Sequence, residues 1–249
     1  MYISPLAEEL NETCPLTTDT YLSQIIFAVR GACIGDHLDT IKWLVQKFSL
    51  TTKHIRHLST LPLRYACAYG SLRIAIWLVD TFGLDKTDIS ELHHWALQTA
   101  CEYGHLSVVK WIVEYFNITF EEIMIDECYS FVYACRNNKI DVAMWLHRQY
   151  KFTRSDIIGH GMSAFLIPAR RGYCELVVWL VETFELTKED VRYKNNYALI
   201  WACNNKNYYI AGYLLFFLLD YSDVADVLIH KDTKEHSRQW LLKYAHLYI

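Results

Sequence analysis

Cysteine and histidine are the residue types in this chain that most readily do chemistry, because they form disulfides, bind zinc and act as nucleophiles. The sequence contains 8 cysteines and 11 histidines. Five cysteines and one alanine form a series with one constant spacing: Cys33, Cys67, Cys101, Cys135, Ala169 and Cys203. No Cys-x-x-Cys occurs, and neighbouring helices of a stack lie roughly 8–10 Å apart, too far for an undistorted disulfide. We interpret the cysteines of this series as small buried apolar residues that alanine can replace.

One histidine cluster has the composition of a metal or acid–base site. It consists of Glu91, His93 and His94. Adjacent histidines point to different faces of a helix, and the sequence has no His-Glu-x-x-His, Gly-rich phosphate loop or Gly-x-Ser-x-Gly. The sequence therefore predicts no enzyme, no catalytic residue, no metal and no cofactor.

Two local basic clusters raise the question of an anionic partner. The first spans residues 53–57, and the second combines Arg170 and Arg171 with Arg192 and Lys194. A formal net charge of −4 and a pI of about 6.2 argue against a general phosphate-binding surface, so we expect no nucleic acid partner. Arg170 and Arg171 could hold one anionic partner, although solvated surface charge is the favoured interpretation.

The elements that position these residues are repeats. Five tryptophans and one tyrosine recur in phase with the cysteines, at a strict period of 34: Trp43, Trp77, Trp111, Trp145, Trp179 and Tyr213. A fixed period of this size is typical of stacked supersecondary units. A third series in the same phase begins at Leu16. We predict about six repeats over residues 16–219, with caps at 1–15 and 220–249, in one continuous domain over 1–249.

Each repeat reads as a helix, a tight turn and a second helix. If residues 106–116 form a helix, apolar side chains occupy most of its circumference, which predicts that other helices cover it on several sides. The turn that precedes such a helix needs a left-handed residue, supplied by Gly, Asp or Asn at Asp36, Gly70, Gly104, Asn138 and Gly172. In the last repeat Lys206 occupies this place, and we expect Asn205 to take the role instead.

Two local signals refine this pattern. The Thr-x-x-Asp/Glu sequences at 119–122 and 187–190 are typical of a capping box that starts a short helix. Pro168 falls inside the first helix of the fifth repeat, and we expect it to kink that helix or to delay its start, because proline lacks an N–H.

Residues 61–70 read Leu-Pro-Leu-Arg-Tyr-Ala-Cys-Ala-Tyr-Gly, and 104–112 read Gly-His-Leu-Ser-Val-Val-Lys-Trp-Ile. These segments resemble the ankyrin repeat, whose patterns are Thr-Pro-Leu-His-x-Ala-Ala-x-x-Gly and Gly-His-Leu-x-Val-Val-x-Leu-Leu. The chain departs from that pattern in its period of 34, in the tryptophan of the second helix and in the missing Gly-Ala-Asp loop. This variant, with Asn-Asn-Tyr-Ala-Leu at 195–199 and Trp-Leu-Val-Glu-Thr-Phe at 179–184, resembles the divergent arrays of amoebae and their large DNA viruses. The tetratricopeptide repeat has the same period, but this chain lacks the proline near the repeat end and the Trp-x-x-Leu-Gly motif of that family. The resemblance implies an all-α ankyrin-like solenoid, with the projecting β-hairpin fingers in doubt.

The resemblance also implies a non-enzymatic module that binds another protein through its concave helix and loop face. Carried over position by position, the partner-binding residues lie in the first helix of each repeat and in the loops: Tyr69, Tyr103, Arg136, Asn137, Arg170, Arg171, His57, His94, His160 and Lys194. Such a module would be a viral or protist factor acting on a host or self protein, and a monomer is favoured over a dimer. The alternative is a structural component that self-associates as a dimer or in a virion.

Composition favours an intracellular location. The longest apolar run, residues 210–219, is about half of a bilayer span, so we expect no membrane partner. The start of the chain has Glu8 and Glu9 and no basic segment, which argues against a secretory signal. Abundant unpaired cysteines favour a reducing compartment. We expect the cytoplasm, which is the host cytoplasm if the protein is viral.

Overall fold

The structure is a computed structural model, which describes residues 18–57, 60–125, 129–159 and 161–248. All regular secondary structure in these residues is helical. The chain divides into two compact units, residues 1–119 and 120–249. The predicted N-terminal cap, residues 1–15, lies outside the described residues.

The first unit contains three repeats, each with a first helix (helix A) and a second helix (helix B). The helices A are α1 (Thr18–Ile34), α4 (Leu61–Ala68) and α6 (Lys86–Tyr103). The helices B are α2 (Leu38–Lys47), α5 (Leu72–Phe82) and α7 (Leu106–Tyr115). A short helix, α3 (Thr52–His57), precedes the second helix A. Neighbouring helices A pack on each other, and each also packs on its own helix B.

The second unit repeats this order and extends beyond it. Short helices alternate with helices A and B: α8 (Phe120–Ile125), α9 (Tyr129–Arg136), α10 (Ile140–Tyr150), α11 (Arg154–Gly159), α12 (Ser163–Arg171), α13 (Cys174–Thr183), α14 (Lys188–Val191), α15 (Tyr193–Asn204) and α16 (Tyr208–Phe217). The predicted C-terminal cap forms α17 (Tyr221–Ile229), α18 (Glu235–Tyr244) and a 3₁₀ turn at Ala245–Leu247. Both α17 and α18 pack on α15, so they cover the last helix A.

Small residues let the helices A approach closely. The cysteines of the repeat series are fully buried, and so are the alanines that precede four of them. Side chains of this size leave room for a neighbouring helix backbone, which explains why Ala169 serves equally well. The interpretation of these cysteines as small core residues is confirmed, while Cys14 and Cys128 lie outside the described residues.

Four of the tryptophans of helix B pack edge to face on a phenylalanine five positions later. Ring centroids are 6.3 Å apart for Trp43 and Phe48, and interplanar angles in the four pairs lie between 74° and 85°. The same contact recurs in three further pairs: Trp77–Phe82, Trp111–Phe116 and Trp179–Phe184. This geometry is favoured by the aromatic quadrupole. The indoles stay partly exposed, because they lie at the outer side of helix B.

The turn between helix A and helix B uses a left-handed residue in all six repeats. The positive φ angles fall on the expected residues, Asp36, Gly70, Gly104, Asn138 and Gly172. The expectation for the last repeat is wrong: Lys206 itself has a φ of +62°, whereas Asn205 has a φ of −102°. The geometry of the turn overrides the preference of lysine, because a shift by one residue would break the register of the stack.

The residue directly after this turn ties neighbouring repeats together. Ser71 donates to the Cys33 carbonyl at 2.5 Å, and the His105 Nε2 donates to the Ala68 carbonyl at 3.0 Å. Asn207 is the equivalent residue of the last repeat, and its amide donates to Ala169 at 3.2 Å. These bonds satisfy carbonyls near the end of the preceding helix A, which have no partner inside that helix. His105 is therefore a structural residue.

Capping boxes begin three of the described helices, α6, α14 and α17. Thr187 and Asp190 form the predicted box, with the Thr187 N–H donating to the Asp190 carboxylate at 2.7 Å. Two further boxes use aspartate at both ends, Asp85 with Asp88 and Asp220 with Asp223. An aspartate oxygen accepts the same backbone bonds as a threonine hydroxyl.

The fifth helix A does not start late, and Pro168 lies inside it. It begins at Ser163, which is the repeat equivalent of Tyr129, where the fourth helix A begins, so Pro168 does not delay it. No residue between Ser163 and Arg171 has a positive φ. Left-handed residues precede helix A in both this repeat and the next: Gly161 and Met162 have φ values of +66° and +56°, and their repeat equivalents Asn195 and Asn196 have +56° and +64°.

Candidate functional site

The candidate site is the solvent side of the helices A near their C-terminal ends, termed the helix-A face. In the first unit it carries two tyrosines at equivalent repeat positions. The Tyr69 hydroxyl accepts a hydrogen bond from the Arg30 Nε at 2.8 Å, and its ring is half-buried. Tyr103 is 55% exposed, with its ring 6.3 Å from that of His105. Tyr69 therefore has a packing role between repeats, whereas Tyr103 is available to a partner.

In the second unit the helix-A face is basic. Arg136 lies over the ring of Tyr133, with its guanidinium carbon 5.3 Å from the ring centroid. One repeat later Arg170 lies over Trp201 at 5.5 Å. Arg171 donates to the Arg136 carbonyl at 2.6 Å. Each arginine is thus anchored to a different group of the stack.

An open groove of about 510 Å³ brings these arginines together with the next repeat. It is lined by three arginines, two asparagines and one isoleucine: Arg136, Ile167, Arg170, Arg171, Asn205 and Asn207. We term this feature the arginine groove. Asn137 lies at its border, where its amide oxygen is 3.4 Å from Arg171 Nη1.

Other arginines of the chain have carboxylate partners instead. Arg56 holds the buried Asp88 with two hydrogen bonds of 2.8 and 3.0 Å, and Arg154 holds Asp190 at 2.8 and 2.9 Å. Arg192 donates to Asp223 at 2.5 Å, so it does not join Arg170 and Arg171 in a surface cluster. The basic clusters that the sequence indicates are therefore partly internal to the fold.

One of these pairs shifts the pKa of its buried carboxyl, that of Asp190. Burial alone would raise the pKa of Asp190, but the Arg154 guanidinium and the Thr187 N–H outweigh it and hold that pKa below its usual range. Among the cysteines, burial raises the pKa of Cys33 and Cys203 to about 12. Both thiols stay protonated near neutral pH and are poor nucleophiles.

The loop residues that the sequence predicts as partner contacts are placed only in part. Lys194 is exposed and lies 5.2 Å from the ring of Tyr193, away from the arginine groove lining. His57 ends the short helix α3 and His94 lies within α6, but their side chains are outside what the structure describes, and so is all of His160. The structure leaves these three as predictions.

Sequence reasoning missed Arg30 and Asn207. Arg30 and Arg64 occupy the same position of consecutive repeats, and both stack on an aromatic ring of the following repeat, Arg30 on Tyr69 and Arg64 on Trp95. An alignment of the repeats shows this recurring arginine, so the sequence could have identified it. Asn207 follows the turn at the place of His105, and only the structure shows that this places it on the groove wall.

Metal centres and membrane spans are not found in the described part of the chain. No group of three or more His, Cys, Asp or Glu side chains there is arranged to hold a metal ion. No helix among those residues is both long enough and apolar enough to cross a membrane.

Comparison with known proteins identifies the repeat. The family model described as ankyrin repeats (3 copies) matches residues 26–124. No curated protein matches the chain significantly. The all-α ankyrin-repeat fold predicted from the sequence is confirmed.

Proposed function

Since residues 26–124 are ankyrin repeats, which are generally protein–protein interaction modules and typically non-enzymatic, we propose that this chain binds a partner protein through its helix-A face. The observation that carries this proposal is the exposure of Tyr103 and Arg171 at equivalent repeat positions, and of Arg170 beside Arg171. Tyrosine and arginine are the side chains that most often anchor an interface.

The variation of residues between repeats also supports the helix-A face as the binding surface. The buried helix-A series of the repeat frame carries a small residue in every repeat, cysteine or alanine, whereas the helix-A face changes from tyrosine in the first unit to arginine and asparagine in the second. Variable side chains on a constant frame are how solenoids distinguish partners. We propose an intracellular partner, which is a host protein if the chain is viral.

Affinity capture with matched variants tests the proposal. Tyr103→Ala, Arg170→Ala and Arg171→Ala each remove one exposed side chain of the helix-A face. Tyr209→Ala and Arg148→Ala serve as controls, because both residues are exposed on helices B. We expect the co-purifying protein to be lost from at least one helix-A variant and retained by both controls, with melting temperatures unchanged. Loss from the controls alone would refute the helix-A face as the binding surface.

Self-association is a second proposed function, and one observation favours it. The C-terminal end of the second unit exposes large apolar side chains: Phe216, Phe217, Ile229, Leu242 and Leu247. Ile229 is 83% exposed, and exposed apolar surface of this kind marks contact sites. Light scattering at several concentrations tests it: a dimer that Phe216→Ser with Ile229→Ser abolishes would support self-association, and a monomer throughout would refute it.

A further inference from the structure

The arginine groove carries positive charge that the fold does not neutralise. Within the described residues, none of Arg136, Arg170 and Arg171 forms an ion pair with a carboxylate, although Arg56, Arg154 and Arg192 all do. A protein with a net charge of −4 has enough carboxylates to pair them. Three like charges left together on one surface attract an anionic ligand and repel cations.

The three guanidiniums are ordered before any ligand binds. The guanidinium carbons of Arg136 and Arg170 lie 5.3 and 5.5 Å from the centroids of aromatic rings, and Arg171 donates to the Arg136 carbonyl. A guanidinium has five N–H donors, so one that contacts an aromatic ring still has donors for a carboxylate. Because the side chains are already anchored, binding loses less conformational entropy.

The separate anchors favour several carboxylates over one phosphate. A single phosphate is best bound where guanidiniums converge on one point, whereas here each guanidinium is tied to its own ring or carbonyl. Arg136 and Arg170 occupy the same position of consecutive repeats and lie on adjacent helices A. Helices that pack on each other are roughly 8–10 Å apart, and three residues of a polyproline II chain advance about 9 Å while returning to the same face.

We propose that the arginine groove binds an acidic segment of the partner protein, in which Asp or Glu recurs about every third residue of an extended chain. The inference rests on the proposed protein-binding function and specifies the chemistry of the partner. The carboxylates pair with Arg136, Arg170 and Arg171. Asn205 donates its amide N–H to Trp201 at 2.8 Å, which leaves its amide oxygen for a peptide N–H.

Fluorescence anisotropy with the full chain and a labelled peptide tests this inference. The probe is a peptide of about twelve residues that repeats Glu-Ala-Pro, since this sequence places one carboxylate on each polyproline II turn. We expect saturable binding, and at least about tenfold weaker binding when Gln replaces Glu, because charge-assisted hydrogen bonds are lost. Comparison probes are the same peptide with phosphoserine for Glu and a single-stranded oligonucleotide.

Variants locate the binding site on the protein. Arg136→Ala and Arg170→Ala should each weaken binding by about tenfold or more, as expected for an interface arginine. Arg171→Lys, which keeps the charge but loses the forked donor, should weaken it less. Arg148→Ala is the matched control from a helix B of the same unit and should change affinity by less than about twofold. Circular dichroism checks that each variant is folded.

Several results would overturn the inference: no saturable binding of the Glu peptide, equal weakening by Arg148→Ala, or tighter binding of the phosphoserine peptide or the oligonucleotide. A dimer that the groove variants dissociate would show that a second copy occupies the groove, and would also overturn it. If Tyr103→Ala still abolishes partner capture while the Glu peptide fails to bind, the proposed function stands and only the acidic partner is wrong.

Discussion

Residues in this chain have roles that depend on their repeat position more than on their chemical type. A cysteine in the helix-A series is a spacer, and His105 is a hydrogen-bond donor in the place of Ser71 and Asn207. At Lys206 the repeat position imposes a left-handed backbone conformation, which is energetically unfavourable for a residue with a Cβ.

Lys206→Gly should stabilise the protein. Glycine adopts the left-handed conformation without the Cβ penalty, which is about 1 kcal/mol, although its greater freedom in the unfolded chain offsets part of the gain. We expect the free energy of unfolding, measured by urea denaturation, to rise by roughly 0.5 kcal/mol. Lys206→Ala is the control, and it should leave the stability unchanged because it keeps the Cβ. A stabilisation by alanine as large as that by glycine would mean that the lysine charge, and not the backbone, is responsible.

Much of the site could be predicted residue by residue, and some could not. The repeat alignment places Tyr103, Arg136, Arg170 and Arg171 on helix A, because a fixed period carries one known turn geometry to every repeat. It cannot distinguish Tyr69, which Arg30 binds, from Tyr103, which is exposed, because that difference depends on a side chain of the preceding repeat.

Helices A and helices B make different kinds of contact. Helices A contact each other through alanine and cysteine, and tryptophan and phenylalanine form the recurrent ring contacts of helix B. The short helices add a third contact, in which an arginine of one repeat holds the capping-box aspartate of the next. The period and the apolar pattern predict the first two, whereas the third requires knowing which charges of consecutive repeats meet.

Trp111→Ala should destabilise the protein by about 3 kcal/mol, at the lower end of the range for a large aromatic side chain because the indole is partly exposed. The loss includes the edge-to-face contact with Phe116, whose centroid lies 5.7 Å away. Tyr213→Ala, in the last helix B, should cost less, because a terminal repeat has fewer neighbours. Urea denaturation measures both changes, and equal losses would contradict the description of the fold as stacked repeats.

Arg154→Met should destabilise the protein near neutral pH, since it leaves the buried Asp190 carboxylate with Thr187 as its remaining donor. The folded pKa of Asp190 lies below its unfolded value. The pair therefore contributes stability above about pH 4 and loses it as the pH falls through the folded pKa.

The difference in unfolding free energy between the parent and Arg154→Met should therefore shrink in acid. Arg148→Met is the control, because Arg148 is exposed and has no ion pair in the described part of the chain. A difference that is the same at pH 7 and pH 3 would indicate that Arg154 contributes through its aliphatic packing and not through the carboxylate.

Over the molecule as a whole, the structural contacts and the proposed binding surface lie on different elements. Helix B and the short helices carry contacts that hold each unit together, and the helix-A face carries exposed side chains that no repeat requires for its own packing. The period predicts this division, but the chemistry of the partner depends on the few residues that differ between repeats.

Site-specific photocrosslinking is the sharpest test of the helix-A face as the binding surface. A photoreactive phenylalanine analogue placed at Tyr103 or Arg171 samples the helix-A face, and the same analogue at Tyr209 or Arg148 samples helices B. After irradiation with the captured partner, we predict covalent adducts from Tyr103, Arg171 or both, and none from the two helix-B positions. Adducts from Tyr209 or Arg148 without any from the helix-A face would show that the partner binds elsewhere.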